Sequence, residues 1–204
     1  MTIVLVPADR VVRWIGNFEG RHGETGLTVE NGALAGTAAD GSTFAARLPF
    51  GQQYAGAADP SAFAAAVGAP DDWGVLLVRK GGFAVARLHG TTTTESKVGQ
   101  RHVQGRTKAG GQSQQRFARR RDNQARQAYE AAADHAARIL GDLRGPLVTG
   151  GDHSAVDEVL ADPRLRQATP VDRWLAVPDP RRGVLEQAVL DACAAAIEVE
   201  NAGQ

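Results

Sequence analysis

The chain has 204 residues, with 23 Lys and Arg against 23 Asp and Glu, 43% hydrophobic residues and 24 glycines, which describes one or two globular domains. A single cysteine excludes a disulfide framework. Five scattered histidines (His22, His89, His102, His135, His153) supply no zinc cluster, so no metal or cofactor is expected. No apolar run approaches the roughly 18 residues of a membrane span, and Met1 is followed by the short segment IVLV, so a cytoplasmic protein without membrane contact is expected.

The first seventy residues read as a small α/β unit. Ile3 to Val6 is a strand, and Asp9 is placed to cap a helix whose apolar positions Val11, Val12, Trp14, Ile15 and Phe18 recur at helical spacing. After RHGETG come LTVE and ALAG, joined by Asn31-Gly32, the pair suited to the positive φ angles of a tight hairpin. A third strand includes Phe44 to Leu48. Asp59-Pro60 then starts a short Ala-rich helix ending near Gly68, and GAPDD marks a domain boundary. Residues 1–70 are thus expected to form an N-terminal extension and residues 71–204 a second domain.

From Trp73 onward, strands give way to helices. GVLLVRK, GFAVARLHG and a more polar run over about Lys97 to Arg106 predict a three-stranded antiparallel meander. From Gln115 to Leu140 there is no Gly or Pro. Phe117, Ala125, Ala128, Tyr129, Ala132, Ala136, Ile139 and Leu140 share one face of a long helix that Gly141 ends. PLVTGG is a strand, SAVDEVLA a helix, DRWLAV a strand and GVLEQAVLDACAAAIEVE a closing helix with Leu185, Val189, Ala192 and Ala196 inward. The order implies an α+β fold, a mixed sheet with packed helices.

Zero net charge hides an asymmetry. Between Lys97 and Arg126 there are nine basic residues against Asp122 alone, a net of +8, so the remainder carries −8. Such a concentration is an electrostatic footprint for phosphate; the plainer account of a charge run is a solvated helix face. Within it lies KAGGQSQQRFARRR, residues 108–121. Gly110 and Gly111 remove two side chains and open backbone angles closed to other residues, giving a thin loop with Gln112 at its tip. Arg116, Arg119 and Arg120 stand at i, i+3 and i+4 of the helix start, one face of guanidinium groups that match phosphate geometry. Arg106 and Lys108 add charge on the approach, and these five basic residues are the candidate RNA contacts. Phe117 and Arg121 share a neighbouring row and are expected against the sheet.

GGQSQQRFARRR followed by a long helix resembles the catalytic loop of the central domain in eukaryotic and archaeal class I peptide-chain release factors. GVLLVRKGGFAVARLHG is similar to the hairpin before that loop, and GPLVTGG with its short helix to the strand after the long helix, so residues 72–200 are covered in order. Within that group the chain most resembles the Vms-like release factors (VLRF), in particular their compact actinobacterial branch. The bacterial class I factors carry Gly-Gly-Gln on an unrelated fold, followed by a Val-Asn pattern absent here.

The resemblance implies a ribonuclease H-like central domain, with Gln112 catalytic and Gly110 and Gly111 its support. It implies a cofactor-free peptidyl-tRNA hydrolase whose partners are the large ribosomal subunit, peptidyl-tRNA and ribosomal RNA. The chain has neither length nor motifs for a stop-codon-reading domain or a GTPase-recruiting domain, so codon-independent ribosome rescue is the expected role. The alternative is a non-enzymatic ribosome- or RNA-binding module that docks through the basic helix; a third reading is hydrolysis of free peptidyl-tRNA. Other residues take plainer readings. Asp152 or Ser154 is a helix cap rather than a partner for a catalytic His153, His102 is an exposed polar residue or an RNA contact, Trp14, Trp73 and Trp174 are core anchors, and Cys193 is a small buried hydrophobe.

Overall fold

A computed structural model describes residues 2–100 and 112–203, with the helical backbone alone over residues 112–125. Strand β1 (Thr2–Val6) leads to helix α1 (Ala8–His22), strands β2 (Thr25–Glu30), β3 (Ala33–Ala38) and β4 (Thr43–Arg47), and helix α2 (Pro60–Ala66). Then come β5 (Trp73–Arg79), β6 (Gly82–His89), β7 (Thr92–Gln100) and the long α3 (Gln112–Leu140). The chain closes with β8 (Pro146–Gly151), α4 (His153–Leu160), β9 (Thr169–Leu175), α5 (Arg182–Cys193) and β10 (Ala195–Glu200). The fold is α+β, with two five-stranded sheets.

The contacts divide the chain into two compact units, one of residues 1–69 with 190–204 and the other of residues 70–189. In the first, an antiparallel sheet has the order β1-β10-β4-β3-β2. Asn31 and Gly32, with φ of 51° and 71°, turn the β2–β3 hairpin as their side chains permit. One sheet face carries Val6, Leu34, Phe44, Ala46 and Ile197, buried together with Val11, Ile15 and Phe18 of α1 and Phe63 of α2. Each such side chain contributes about 1.5–3 kcal/mol when fully buried. The Asp59 carboxylate accepts from the Ala62 N–H at 2.8 Å and caps α2, with Pro60 as its first residue.

Three expectations are corrected here. Asp9 does not cap α1: the cap position is Pro7, and Asp9 lies in the first turn, where its charge still favours the helix dipole. The closing helix stops at Cys193, and Ala195–Glu200 is a strand inserted between β1 and β4. The alternation Ala195, Ile197, Val199 on one face against Ala196, Glu198, Glu200 on the other is a strand period, which won over the helix propensity of alanine. Residues 71–204 therefore do not all pack as one unit, because the last of them complete the N-terminal sheet.

In the second unit the sheet order is β7-β6-β5-β8-β9, antiparallel from β7 to β5 and parallel from β5 to β9. Strand β7 starts at Thr92, five residues before the expected Lys97, because the threonines at 92–94 are β-branched and pair with β6. Leu76, Val78, Phe83 and Val85 of the sheet pack against Tyr129, Ala132, Ala136, Ile139 and Leu140 of α3 and against Ala155, Val156 and Val159 of α4. The apolar face of α3 is thus as expected wherever its side chains are described. Trp73 is fully buried, its indole N–H donating to the Gly90 carbonyl at 2.8 Å.

Candidate functional site

The scaffold around the candidate loop is built from β6, β7 and the second half of α3. Strand β7 ends at Gln100 and α3 begins at Gln112, so the Gly-Gly-Gln segment joins the sheet's outer strand to the helix. At the root of this connection a Cβ on Gly99 would stand 2.3 Å from the Phe83 ring. Only glycine lets the strand pass so close. The Phe83 ring in turn stacks on His135 of α3, centroids 5.6 Å apart and planes 27° from parallel. Arg138 of α3 pairs with Glu95 of β7. The Phe83 packing thus ties strand to helix near the end of β7, and the Arg138–Glu95 pair ties them toward the C-terminal end of α3.

A second set of contacts fixes the far end of the same elements. The Arg87 guanidinium on β6 donates to both Asp72 oxygens, at 2.8 and 3.0 Å, and to Asp142 at 2.5 Å, joining the start of β5 to the turn after α3. The bidentate hydrogen bond from Arg87 holds the Asp72 carboxyl below the usual carboxylate range, and Asp72 raises the guanidinium further above its ordinary value. At the ends of the parallel strands, Arg79 donates to the Val177 carbonyl at 2.8 Å and lies 3.5 Å from Asp152. Asp152 stands at the cap position of α4 but makes no side-chain cap, correcting the expectation. The His153 ring lies flat on Trp174, centroids 3.5 Å apart, so Trp174 serves as a stacking partner and remains half-buried. Cys193 is half-buried too, rather than enclosed.

Of the candidate site residues, Arg106, Lys108, Gly110 and Gly111 lie outside the described residues, as does His102. Gln112 heads α3, and Arg116, Arg119 and Arg120 follow on its helical backbone; their side chains, like those of Phe117, Arg121 and Ala125, lie outside the described residues. At 100° per residue, positions 112, 116, 119 and 120 share an arc of about 100°. That arc is roughly opposite the face on which Ala128, Ala132, Ala136 and Ile139 are buried. Gln112 is about 24 Å along the axis from Ala128, the first buried residue of the described part. The helix therefore separates a packed half from a leading half in which one glutamine and three arginines share a side.

The family described as Actinobacteria/chloroflexi VLRF1 release factor matches the chain over residues 71–198. The chain belongs to this VLRF1 family. A role in translation and association with the ribosome follow from that membership at the level of the family. No curated protein matches the chain. Among the described residues no cluster of His, Cys, Asp and Glu has the arrangement of a metal site, and no helix is long and apolar enough to cross a membrane. The Glu95–Arg138 pair and the Phe83–His135 stack, which join β6 and β7 to α3, have no local signal in the sequence. Their partners are 43 and 52 residues apart, and only the pairing of β6, β7 and α3 brings them together.

Proposed function

We propose that the chain is a cytoplasmic peptidyl-tRNA hydrolase that releases nascent peptides from stalled ribosomes or large subunits without reading a codon. The observation that carries this reading is the position of Gln112 as the first residue of α3, directly after Gly110-Gly111. The first four N–H groups of a helix have no intrahelical acceptor, and the helix N-terminus favours negative charge. A backbone donor at that point is suited to an oxyanion. In the reaction, the oxygen of water attacks the ester carbonyl carbon and negative charge gathers on the carbonyl oxygen. Collapse then breaks the bond to the ribose oxygen of the terminal adenosine, which takes up a proton. The Gln112 N–H stabilises the oxyanion or orients the water, its side chain excludes other nucleophiles, and the tRNA's ribose hydroxyl relays the proton.

The arginines have the separate task of gripping phosphate. Arg116, Arg119 and Arg120 share one side of α3 with Gln112, so contacts to tRNA or ribosomal RNA there set the depth and angle of the loop. Arg106 and Lys108 extend that grip on the strand side. The test is release of labelled peptide from purified stalled complexes. Wild type is expected to release it and Gln112→Pro, which deletes the backbone donor, to lose at least 100-fold in rate while still binding. Equal rates would falsify the catalytic role and leave an RNA-binding module; activity without ribosomal subunits would redirect the proposal to free peptidyl-tRNA. Arg116→Ala, Arg119→Ala and Arg120→Ala are each expected to lower the salt dependence of binding by about 0.7–0.9 in the log–log slope per lost phosphate contact.

A further inference from the structure

The N-terminal unit, outside the span matched by the family, carries its own cationic surface. On α1 the positions of Arg10, Arg13, Trp14, Asn17 and Arg21 fall within an arc of about 100°, beside the face that buries Val11, Ile15 and Phe18. The three arginines are exposed, and among the described residues no carboxylate lies within ion-pair distance of any of them. Asp9 and Glu19, the acidic residues of the helix, stand outside the arc. His22 is already engaged, 2.9 Å from Asp40. The charge of this stripe is left for something outside the unit.

Beside the stripe, α1 overhangs the end of the sheet and leaves an open cleft of about 510 Å3. Its floor is Val4 and Val199, its helix wall Trp14, Asn17 and Arg21, and its far rim Glu200. The volume lies within the range of ligand sites. Trp14 was expected to be a core anchor and is only half-buried: Phe18 stacks beside it at 5.8 Å and 15°, and Phe44 meets it edge-on at 5.5 Å. Among the described residues neither its indole N–H nor the Asn17 carboxamide has a hydrogen-bond partner.

We propose that α1 and this cleft bind single-stranded RNA, one unpaired base entering beside Trp14 while Arg10, Arg13 and Arg21 contact the flanking phosphates. A held aromatic ring at the centre of a row of unpaired guanidiniums is the arrangement that grips a strand by stacking and charge together. The row extends about 16 Å along the axis, the reach of a few nucleotides. A protein ligand is the weaker fit, because three uncompensated cations and an unpaired indole N–H would need matching acidic partners, which the RNA backbone supplies at every residue. This inference does not depend on hydrolysis at Gln112.

The test uses the full chain and fluorescein-labelled hexanucleotides of C, A and U, titrated across a salt series, with photo-crosslinking of a thiouridine-containing hexamer and mapping of the attached peptide. The arginine-rich segment at 97–126 is the other proposed RNA contact, so the mapped peptide separates the two surfaces. Crosslinks to the α1 peptide are expected. Arg13→Glu with Arg21→Glu, both at exposed positions, is expected to leave the circular dichroism spectrum unchanged and to cut the log–log salt slope by about 1.4. Trp14→Ala is expected to weaken binding roughly 5- to 150-fold; Trp14→Phe, which keeps a stacking ring, recovers most of it. Crosslinks confined to residues 97–126, or an unchanged salt slope in the doubly charge-reversed protein, would overturn the proposal. Unchanged RNA binding together with lost ribosome co-sedimentation would overturn it in favour of a protein partner.

Discussion

Two sets of arginines, one from each unit, serve opposite purposes. In the second, Arg79, Arg87, Arg138 and Arg164 are each held by carboxylates. In the first, Arg10, Arg13 and Arg21 line one side of α1 with no such partner among the described residues. A paired guanidinium tethers elements and is electrically spent. An unpaired row raises the local potential at some cost in self-repulsion, and that potential is useful when an anion comes to it. Residue type alone says little about which role an arginine has; the elements that fold back against it decide.

The comparison assigns grip to the unpaired arginines and leaves the chemistry to Gln112. The sharpest way to break it is to show that charge alone sustains release. Gln112→Pro, which deletes the amide hydrogen, is expected to slow release from stalled complexes by roughly 10²- to 10³-fold with an unchanged salt slope, since the backbone donor is the group in question. Gln112→Ala keeps that donor and should cost less in rate, losing the exclusion of nucleophiles other than water. A salt slope that fell with Gln112→Ala would mean that the glutamine also positions the loop on RNA.

Next in size is the loop's root. Gly99→Ala places a methyl group against the Phe83 ring, which is buried on one side and stacked on His135 on the other. Overpacking of this kind costs about 1–3 kcal/mol, read as a lower denaturation midpoint in urea. Arg87→Ala should follow at about 1–2 kcal/mol. It removes two hydrogen bonds to Asp72 and one to Asp142, but the Arg87 and Asp72 side chains are 26% and 38% exposed and water replaces part of what is lost. A larger effect from Arg138→Ala than from Arg87→Ala would reverse the ranking, because the Arg138–Glu95 pair is the more open of the two.

Much of this was legible in the sequence where periodicity was unambiguous. Asn31-Gly32 and Asp59-Pro60 fix their turn and cap by local backbone chemistry, and the Ala128-to-Leu140 face of α3 follows from helical spacing alone. Ala195–Glu200 was not legible, because the three alanines at 194–196 run across its start and its strand character depends on filling the place between β1 and β4. The early start of β7 was obscured because the four threonines at 91–94 show no alternation of apolar and polar residues. At the candidate site, Gly-Gly-Gln and the i, i+3, i+4 arginines stand out because they are contiguous. Phe83, Glu95, His135 and Arg138 do not, since no local pattern links them. The α1 stripe was hidden by its own neighbours: the apolar positions that bury Val11, Ile15 and Phe18 draw the eye from the arginines interleaved with them.

The smallest expected effect lies with Arg164, which looks structural although its side chain is 54% exposed. Its guanidinium donates to Asp162 at 2.6 and 2.9 Å and to Asp134 at 2.7 Å. Solvent screens these contacts, so Arg164→Ala should lower the melting temperature at neutral pH only slightly. Acid should erase even that difference. Hydrogen bonds from the Arg164 side chain, and then from its backbone N–H, bring the Asp162 carboxyl down to about 2, against roughly 3.9 for an unperturbed aspartate. A depressed folded value means that the contribution is complete above the unfolded value and disappears as pH falls through the folded one. In wild type it should therefore fade from about pH 4 to about pH 2. In Arg164→Ala the carboxyl moves back toward its ordinary value, and that segment of the stability-against-pH curve should flatten. Identical curves for the two proteins in that window would place Arg164 with the arginines of α1, charged but structurally idle.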